Sequence, residues 1–186
     1  MTESLEITKY HEFADVYENM GVDSLTAHAI SCVAESFQHC KYAVNQLKQL
    51  NGVGLKDNES TYFSTRFFYV HSFYSFAGTL LNCFKFITDN FNCRICCPEV
   101  LKCKDKYYST IKKIIDIRND FVIHPLNLIT PIKNIENMPI KITYEVEKNG
   151  EYIKHENELE PDKHIINTRD YIEEMSYILL CKLQQK

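Results

Sequence analysis

Three long segments of the chain carry apolar residues at the three-and-four spacing of an amphipathic helix, and this pattern restricts the fold to a helical one. The first segment runs from residue 24 to residue 50. The second runs from residue 60 to about residue 90, and its wide apolar face predicts a central helix that contacts several others. The third runs from residue 105 to about residue 123 and ends before Pro125, because proline disfavours a helical conformation at the preceding residue, His124.

Two shorter helical segments and one strand pattern complete the secondary structure. Residues 5–20 and 168–184 predict an N-terminal helix and a closing helix. Apolar and polar residues alternate over 140–146, Asn149-Gly150 follows, and 151–155 can return, which predicts a β-hairpin with a type I′ turn. A hairpin of two strands is marginally stable alone, so it must rest on the helices.

The whole chain, residues 1–186, is expected to form one domain. Its length suits a single domain, and 45% hydrophobic with 25% charged residues is average globular usage. The predicted fold class is mainly α: an up-and-down bundle of four to five helices, with a small β-hairpin appendage at about residues 140–155 before the C-terminal helix.

Composition limits the class of partner. No apolar run approaches the roughly 18 to 20 residues that cross a bilayer, and the first residues are acidic and polar where a signal peptide is basic and then apolar. We therefore expect a soluble, cytoplasmic protein with no membrane partner. The formal net charge of −4 argues against broad wrapping of nucleic acid, because phosphate binding depends on surplus lysine and arginine. Any nucleic-acid site must be a local patch.

Eight cysteines are expected to be free thiols, since the sequence carries no export signal. Four of them lie within eleven residues, namely Cys93, Cys96, Cys97 and Cys103. Structural zinc sites usually combine two separated ligand pairs, and the second pair is missing here. Reduced cysteines in a connection between helices are therefore favoured, with a zinc site as the alternative. No metal and no cofactor is expected in the functional site.

Arg118 interrupts the apolar face of the third long helix. Positions 111, 114, 115, 118 and 122 share that face, and the residue at 118 keeps its charge at any physiological pH. It therefore needs a partner, a route to water or a wet cleft. One interpretation is that it reaches the end of the bundle or pairs with a carboxylate such as Asp120 or Glu35.

The residues after Arg118 favour a second, functional interpretation. Residues six apart on a continuous α-helix rise about 9 Å and point about 120° apart, so Arg118 and His124 would not face one target. The break before Pro125 lets His124 turn off the helix end, towards Arg118 or towards the arginine of a second copy. A tunable acid or base beside a permanent cation is suited to phosphodiester cleavage.

At these residues the sequence resembles the HEPN family, all-α proteins whose motif is an arginine, four to six residues, and then a histidine, commonly with a polar residue after the arginine. Here five residues separate Arg118 from His124, and Asn119 is the polar residue. The resemblance implies a metal-independent endoribonuclease of the toxin or abortive-infection kind. It also implies a homodimer in which motifs from two chains form one cleft, with RNA as substrate and a possible antitoxin protein as partner.

The resemblance also implies a role for each motif residue. His124 would take the proton from a ribose 2′-hydroxyl, whose oxygen attacks the adjacent phosphate, and a His124 would protonate the leaving 5′-oxygen. Arg118 would neutralise charge on the phosphoryl oxygens, and Asn119 would orient the phosphate or the histidine. The products would be a 2′,3′-cyclic phosphate and a 5′-hydroxyl.

A basic segment leads into the motif. Residues 102–118 contain six basic side chains against two acidic ones, a formal +4 in an acidic protein. Lys112, Lys113 and Asp120 are the candidate substrate-binding residues beside the catalytic candidates. The alternative is an ordinary solvated helix face.

Other interpretations stay open at this stage. Arg66 and His71 form a second arginine–histidine pair, but they lie within a helix, where a hydrogen-bonded core or bundle-end histidine is favoured. The chain could also be a non-catalytic HEPN-like module that binds RNA or a nucleotide, or a helical protein-interaction domain with no nucleic-acid role.

Overall fold

The computed structural model describes residues 5–52, 59–94, 98–123, 140–148 and 151–185. Five α-helices form the body of this part of the chain: α1 (Thr8–Glu18), α2 (Ser24–Gly52), α3 (Glu59–Arg94), α4 (Pro98–Ile117) and α5 (Pro161–Gln184). A π-helical turn, Arg118–Ile123, continues α4, and two strands, β1 (Ile140–Lys148) and β2 (Glu151–Leu159), precede α5. The predicted mainly α bundle with a small hairpin before the last helix is confirmed.

Asp23 begins α2 as a side-chain cap. Its Oδ1 accepts hydrogen bonds from the backbone N–H groups of Leu25 and Thr26, each at 3.0 Å, and its Oδ2 accepts the Thr26 hydroxyl at 2.8 Å. These bonds satisfy amides that have no partner within the helix. They favour the ionised carboxylate, so the pKa of Asp23 is lowered, chiefly by the Thr26 backbone bond.

The hairpin forms as predicted, with a longer return strand. The antiparallel pairing runs from Ile140 opposite Leu159 to Lys148 opposite Glu151. This register leaves the two residues 149–150 between the strands, and the predicted type I′ turn lies outside the described residues. β2 continues four residues beyond residue 155 to Leu159, whose side chain is buried in the helical core. Leu159 therefore anchors the base of the hairpin.

α5 begins at Pro161, seven residues before the predicted start at residue 168. Proline suits the first turn of a helix because its φ is already helical and its missing N–H is not needed there. His164 and Ile165 are buried and extend the apolar stripe of α5 by two turns. The sequence pattern did not predict the burial of His164, because histidine is not usually a core residue.

α3 is the central helix, as its wide apolar face predicts. It packs against α2, α4 and α5. In its C-terminal half, Phe84 places its ring 5.9 Å from that of Tyr10 on α1 and 5.5 Å from that of Tyr171 on α5, both in edge-on geometry. Aromatic rings thus join three helices at one point of the core.

α4 presents a slightly different face to the core than the sequence predicts. Its fully buried residues include Ile114 and Ile117, whereas Ile111 and Ile115 are only partly buried. The predicted stripe included 111 and 115 and missed 117. The difference arises because α4 contacts both α3 and α5, so its buried surface is wider than one stripe. Arg118 follows Ile117 at the edge of this surface.

A polar network is buried where the hairpin meets α5. The His164 side chain is 2% exposed, and its Nδ1 lies 2.8 Å from the Tyr74 hydroxyl oxygen. The backbone N–H of Glu160 donates to the same oxygen at 3.2 Å. Burial, followed by the charge of Lys113, lowers the pKa of His164 to about 4. His164 is therefore neutral at physiological pH and acts as a structural partner of Tyr74.

In the part of the chain that the structure describes, no helix is both long enough and apolar enough to cross a membrane.

Candidate functional site

Arg118 lies directly against Gly78 of α3. A methyl group at Gly78 would be 2.6 Å from Cγ of Arg118 and 2.9 Å from its Cδ, both far inside normal contact. The aliphatic part of the arginine therefore occupies the space that a side chain at 78 would fill. Its Nη1 donates a hydrogen bond to Oδ1 of Asn119 at 3.2 Å. The side chain is partly buried, with its stem on the helix and its charged end joined to the neighbouring amide.

The helix changes its winding at Arg118. Residues Arg118–Ile123 form a π-helical turn, in which backbone bonds join residues five apart. Such turns are rare and are frequently found at functional sites. Arg118, Asn119 and Asp120 are all partly buried within it. His124 lies outside the described residues, so its convergence on Arg118 stays a prediction.

A cleft of about 280 Å³ lies between α3 and α4, with Tyr171 of α5 at its floor. We call it the α3–α4 cleft. Its apolar lining consists of Leu81, Ile111, Ile115 and Tyr171, and its polar lining consists of Asn82, Tyr108, Lys85, Lys104 and Lys112. These nine side chains include three cations and no carboxylate. The cleft therefore favours an anionic ligand that also carries an apolar part.

Arg118 does not line this cleft, but it packs on a residue of α3 that lies one turn from a cleft residue. On α4, Ile111, Ile115 and Arg118 follow the spacing that places residues on one face of a helix, and Ile111 and Ile115 line the cleft. On α3, Gly78 and Asn82 are one turn apart, which is about 6 Å along the axis. The stem of Arg118 packs on Gly78, and the cleft residue Asn82 follows Gly78 by one turn of α3.

The three substrate-binding candidates are placed differently. Lys112 lines the α3–α4 cleft and forms an ion pair with Asp116 on its own helix. The ammonium of Lys113 lies 3.9 Å from the carboxylate of Glu160, just before α5. Asp120 lies on the π-helical turn. The structure thus places Lys112 in the α3–α4 cleft and directs Lys113 towards Glu160 at the start of α5.

Several residues of α3 and α4 that complete this region are not predicted from the sequence. Gly78 is a single glycine inside a long apolar helix, where glycine costs about 1 kcal/mol relative to alanine. That cost was the available signal that another group approaches the backbone there. Asn82, Lys85 and Tyr108 carried no comparable signal, because polar side chains on a helix are ordinarily solvated.

The second arginine–histidine pair is embedded in helix packing. Arg66 is 6% exposed within α3, and the ring of His71 stacks at 6.2 Å on that of Phe67, one turn earlier. These contacts support the structural interpretation of the pair.

Of the four clustered cysteines, Cys103 is the one with a described side chain. It is buried on α4, and burial, followed by the charge of Glu174, raises the pKa of its thiol to about 11. A protonated thiol is a poor metal ligand, because metals bind the thiolate. Among the described residues, no group of three or more potential metal ligands is present. The side chains of Cys93, Cys96 and Cys97 lie outside those residues, so the zinc alternative stays untested.

Comparisons with protein-family models, with curated proteins and with solved structures give no match to this chain. The resemblance to the HEPN family therefore rests on the spacing of Arg118 and His124, on Asn119 and on the helical architecture.

Proposed function

We propose that this protein is a metal-independent endoribonuclease that acts as a homodimer with a composite Arg118 and His124 site, in a toxin–antitoxin or phage-defence setting. The observation that carries the proposal is the position of the Arg118 guanidinium. The stem of Arg118 packs on Gly78 and its guanidinium bonds to Asn119, while Asn82, one turn from Gly78 on α3, lines a cleft that also contains three lysines. A fixed cation near a cleft that contains lysines suits an RNA phosphate.

The chemistry uses one base, one acid and one fixed cation. One His124 removes the proton from a ribose 2′-hydroxyl, and that oxygen forms a bond to the adjacent phosphorus. The bond from phosphorus to the 5′-oxygen breaks, and a second His124, from the other chain, gives that oxygen a proton. Arg118 neutralises the charge that develops on the non-bridging phosphoryl oxygens, and a preorganised donor of this kind contributes about 3 to 4 kcal/mol. Asn119 holds the guanidinium and orients the phosphate.

The products and the metal requirement test the proposal. Incubation of the purified protein with single-stranded RNA is expected to give fragments with 2′,3′-cyclic phosphate and 5′-hydroxyl ends, as measured by mass spectrometry. EDTA is expected to leave the rate unchanged, because no step uses a metal. Fragments with 3′-hydroxyl and 5′-phosphate ends, or strong inhibition by EDTA, would contradict the mechanism. Inhibition by EDTA would favour a metal site at the clustered cysteines.

The contact between Gly78 and Arg118 gives a second test, in which none of the candidate catalytic residues is itself substituted. Gly78→Ala is expected to displace the arginine stem and to slow cleavage about a hundredfold, the scale of a misplaced catalytic group. In an Arg118→Ala background the same change is expected to raise the free energy of unfolding by about 1 kcal/mol, because alanine favours a helix interior. Cleavage rates and urea unfolding of the two single variants and the double variant measure both effects. Full activity of Gly78→Ala would mean that the seat of Arg118 is not needed.

A non-catalytic RNA- or nucleotide-binding module is the second candidate. Two of the three cleft lysines are in ion pairs: Lys104 Nζ lies 2.6 Å from Asp89 Oδ1, and Lys112 pairs with Asp116. These pairs and the net charge of −4 weaken the attraction for a long RNA. The module is distinguished from the enzyme by RNA binding that is retained without any cleavage.

A further inference from the structure

The exposed side chains of the α3–α4 cleft combine three kinds of recognition. Tyr108 is 64% exposed although it is a large aromatic residue, and it lines the cleft. Asn82 offers an amide with both a donor and an acceptor, and it is exposed on the α3 side. Lys85, on the same helix one turn further on, forms no ion pair within the described residues. A flat ring, an amide and a lysine without an ion pair among the described residues are therefore available to one ligand.

From these contacts we infer that the α3–α4 cleft is a nucleotide subsite, in which one RNA base stacks on Tyr108 and presents its edge to Asn82, while the flanking phosphates face Lys85 and Arg118. Every base has a π-face, so stacking accepts any base, and an amide can distinguish base edges. The inference rests on the proposed function, which brings an RNA strand to Arg118.

The position of the cleft supports this occupant over other anionic ligands with an apolar part. Gly78, on which the stem of Arg118 packs, lies one helical turn, or about 6 Å along the axis, from Asn82, so we expect the phosphate of a base in the cleft to come within reach of the guanidinium. A fatty acid would also match an apolar cleft with a cationic rim. It would, however, leave the Asn82 amide and the ring face of Tyr108 without a specific partner.

The inference can be tested without cleavage. A fluorescent pentanucleotide with 2′-O-methyl riboses lacks the attacking hydroxyl, so its affinity for the wild-type protein, measured by fluorescence anisotropy, reports binding alone. Tyr108→Ala is expected to weaken this affinity about ten- to a hundredfold, the typical effect of losing one stacked base. Tyr42→Ala is the matched control, because Tyr42 is 57% exposed on α2 and does not line the cleft. The same probe can be made with A, C, G or U at all five positions. Asn82→Ala is expected to reduce the difference in affinity among these four pentanucleotides.

The outcomes separate this inference from the proposed function. Equal affinity of wild type and Tyr108→Ala, or equal affinity for an abasic strand of the same length, would overturn the subsite even if the protein cleaves RNA. Binding of dodecanoate to the cleft with no binding of the oligonucleotide would overturn it as well. Binding that depends on Tyr108 in a protein that leaves unmodified RNA intact would support the subsite and would refute the nuclease.

Discussion

Replacing His124 with alanine is expected to slow RNA cleavage by about a hundred- to ten-thousandfold, the usual contribution of general acid–base catalysis by a side chain. In a symmetric dimer the change removes both the base and the acid, so the loss should fall at the upper end of this range. Arg118→Ala is expected to slow cleavage about a hundred- to a thousandfold, because it removes one preorganised cation from the phosphoryl oxygens. Initial rates on one RNA substrate, taken at equal protein concentration, measure both effects.

The control for His124→Ala is His11→Ala, which removes an exposed histidine from α1. Its cleavage rate should equal that of the wild type. The far-ultraviolet circular dichroism of all three variants should match the wild type, since the proposal assigns His124 and Arg118 to chemistry. Full activity of His124→Ala would contradict the mechanism.

When the proteins are expressed in cells, wild type should slow growth more than Arg118→Ala, and equal toxicity would indicate a function through protein interaction.

Replacing Phe84 with alanine is expected to lower the free energy of unfolding by about 3 to 5 kcal/mol, the usual cost of removing a buried aromatic side chain. Phe84 is fully buried and its ring touches Tyr10 and Tyr171, so the change opens a cavity where α1, α3 and α5 meet. Total stabilities of single domains are about 5 to 15 kcal/mol, so the loss is a large fraction of the whole. Urea unfolding followed by circular dichroism measures it.

Phe68→Ala supplies the matched comparison on the same helix. Phe68 is 62% exposed, so its removal should change the free energy of unfolding by no more than about 0.5 kcal/mol. Similar losses in the two variants would mean that the junction of α1, α3 and α5 does not dominate the core.

Helices and strands in this chain could be predicted because their signals are local. The apolar spacing of residues 24–50 and 60–90 leads to α2 and α3, and the alternation around residues 140–146 leads to the hairpin. The errors lie at positions where tertiary contacts decide. The predicted start of α5 lies seven residues after the observed one, because the burial of His164 depends on Tyr74, which is distant in sequence. Ile117 was missed because α4 is buried against two helices at once.

The candidate site was only half predictable for the same reason. Arg118 could be identified as a candidate from the sequence, because a charged residue on an apolar helix face is a local anomaly. Its seat on Gly78 and the cleft with Asn82 and Tyr108 depend on how α3 and α4 are rotated about their own axes, which no spacing along one helix encodes.

The fit between Gly78 and Arg118 has a consequence for how chains of this type can diverge. Positions 78 and 118 share a single volume, so each limits what the other can become. If a small residue replaces the arginine at 118, the space no longer requires glycine at position 78. Alanine or serine at position 78 then stabilises the helix relative to glycine. Positions 78 and 118 should therefore change together among divergent homologues. A residue larger than glycine at position 78 would indicate a homologue that has lost the arginine at position 118.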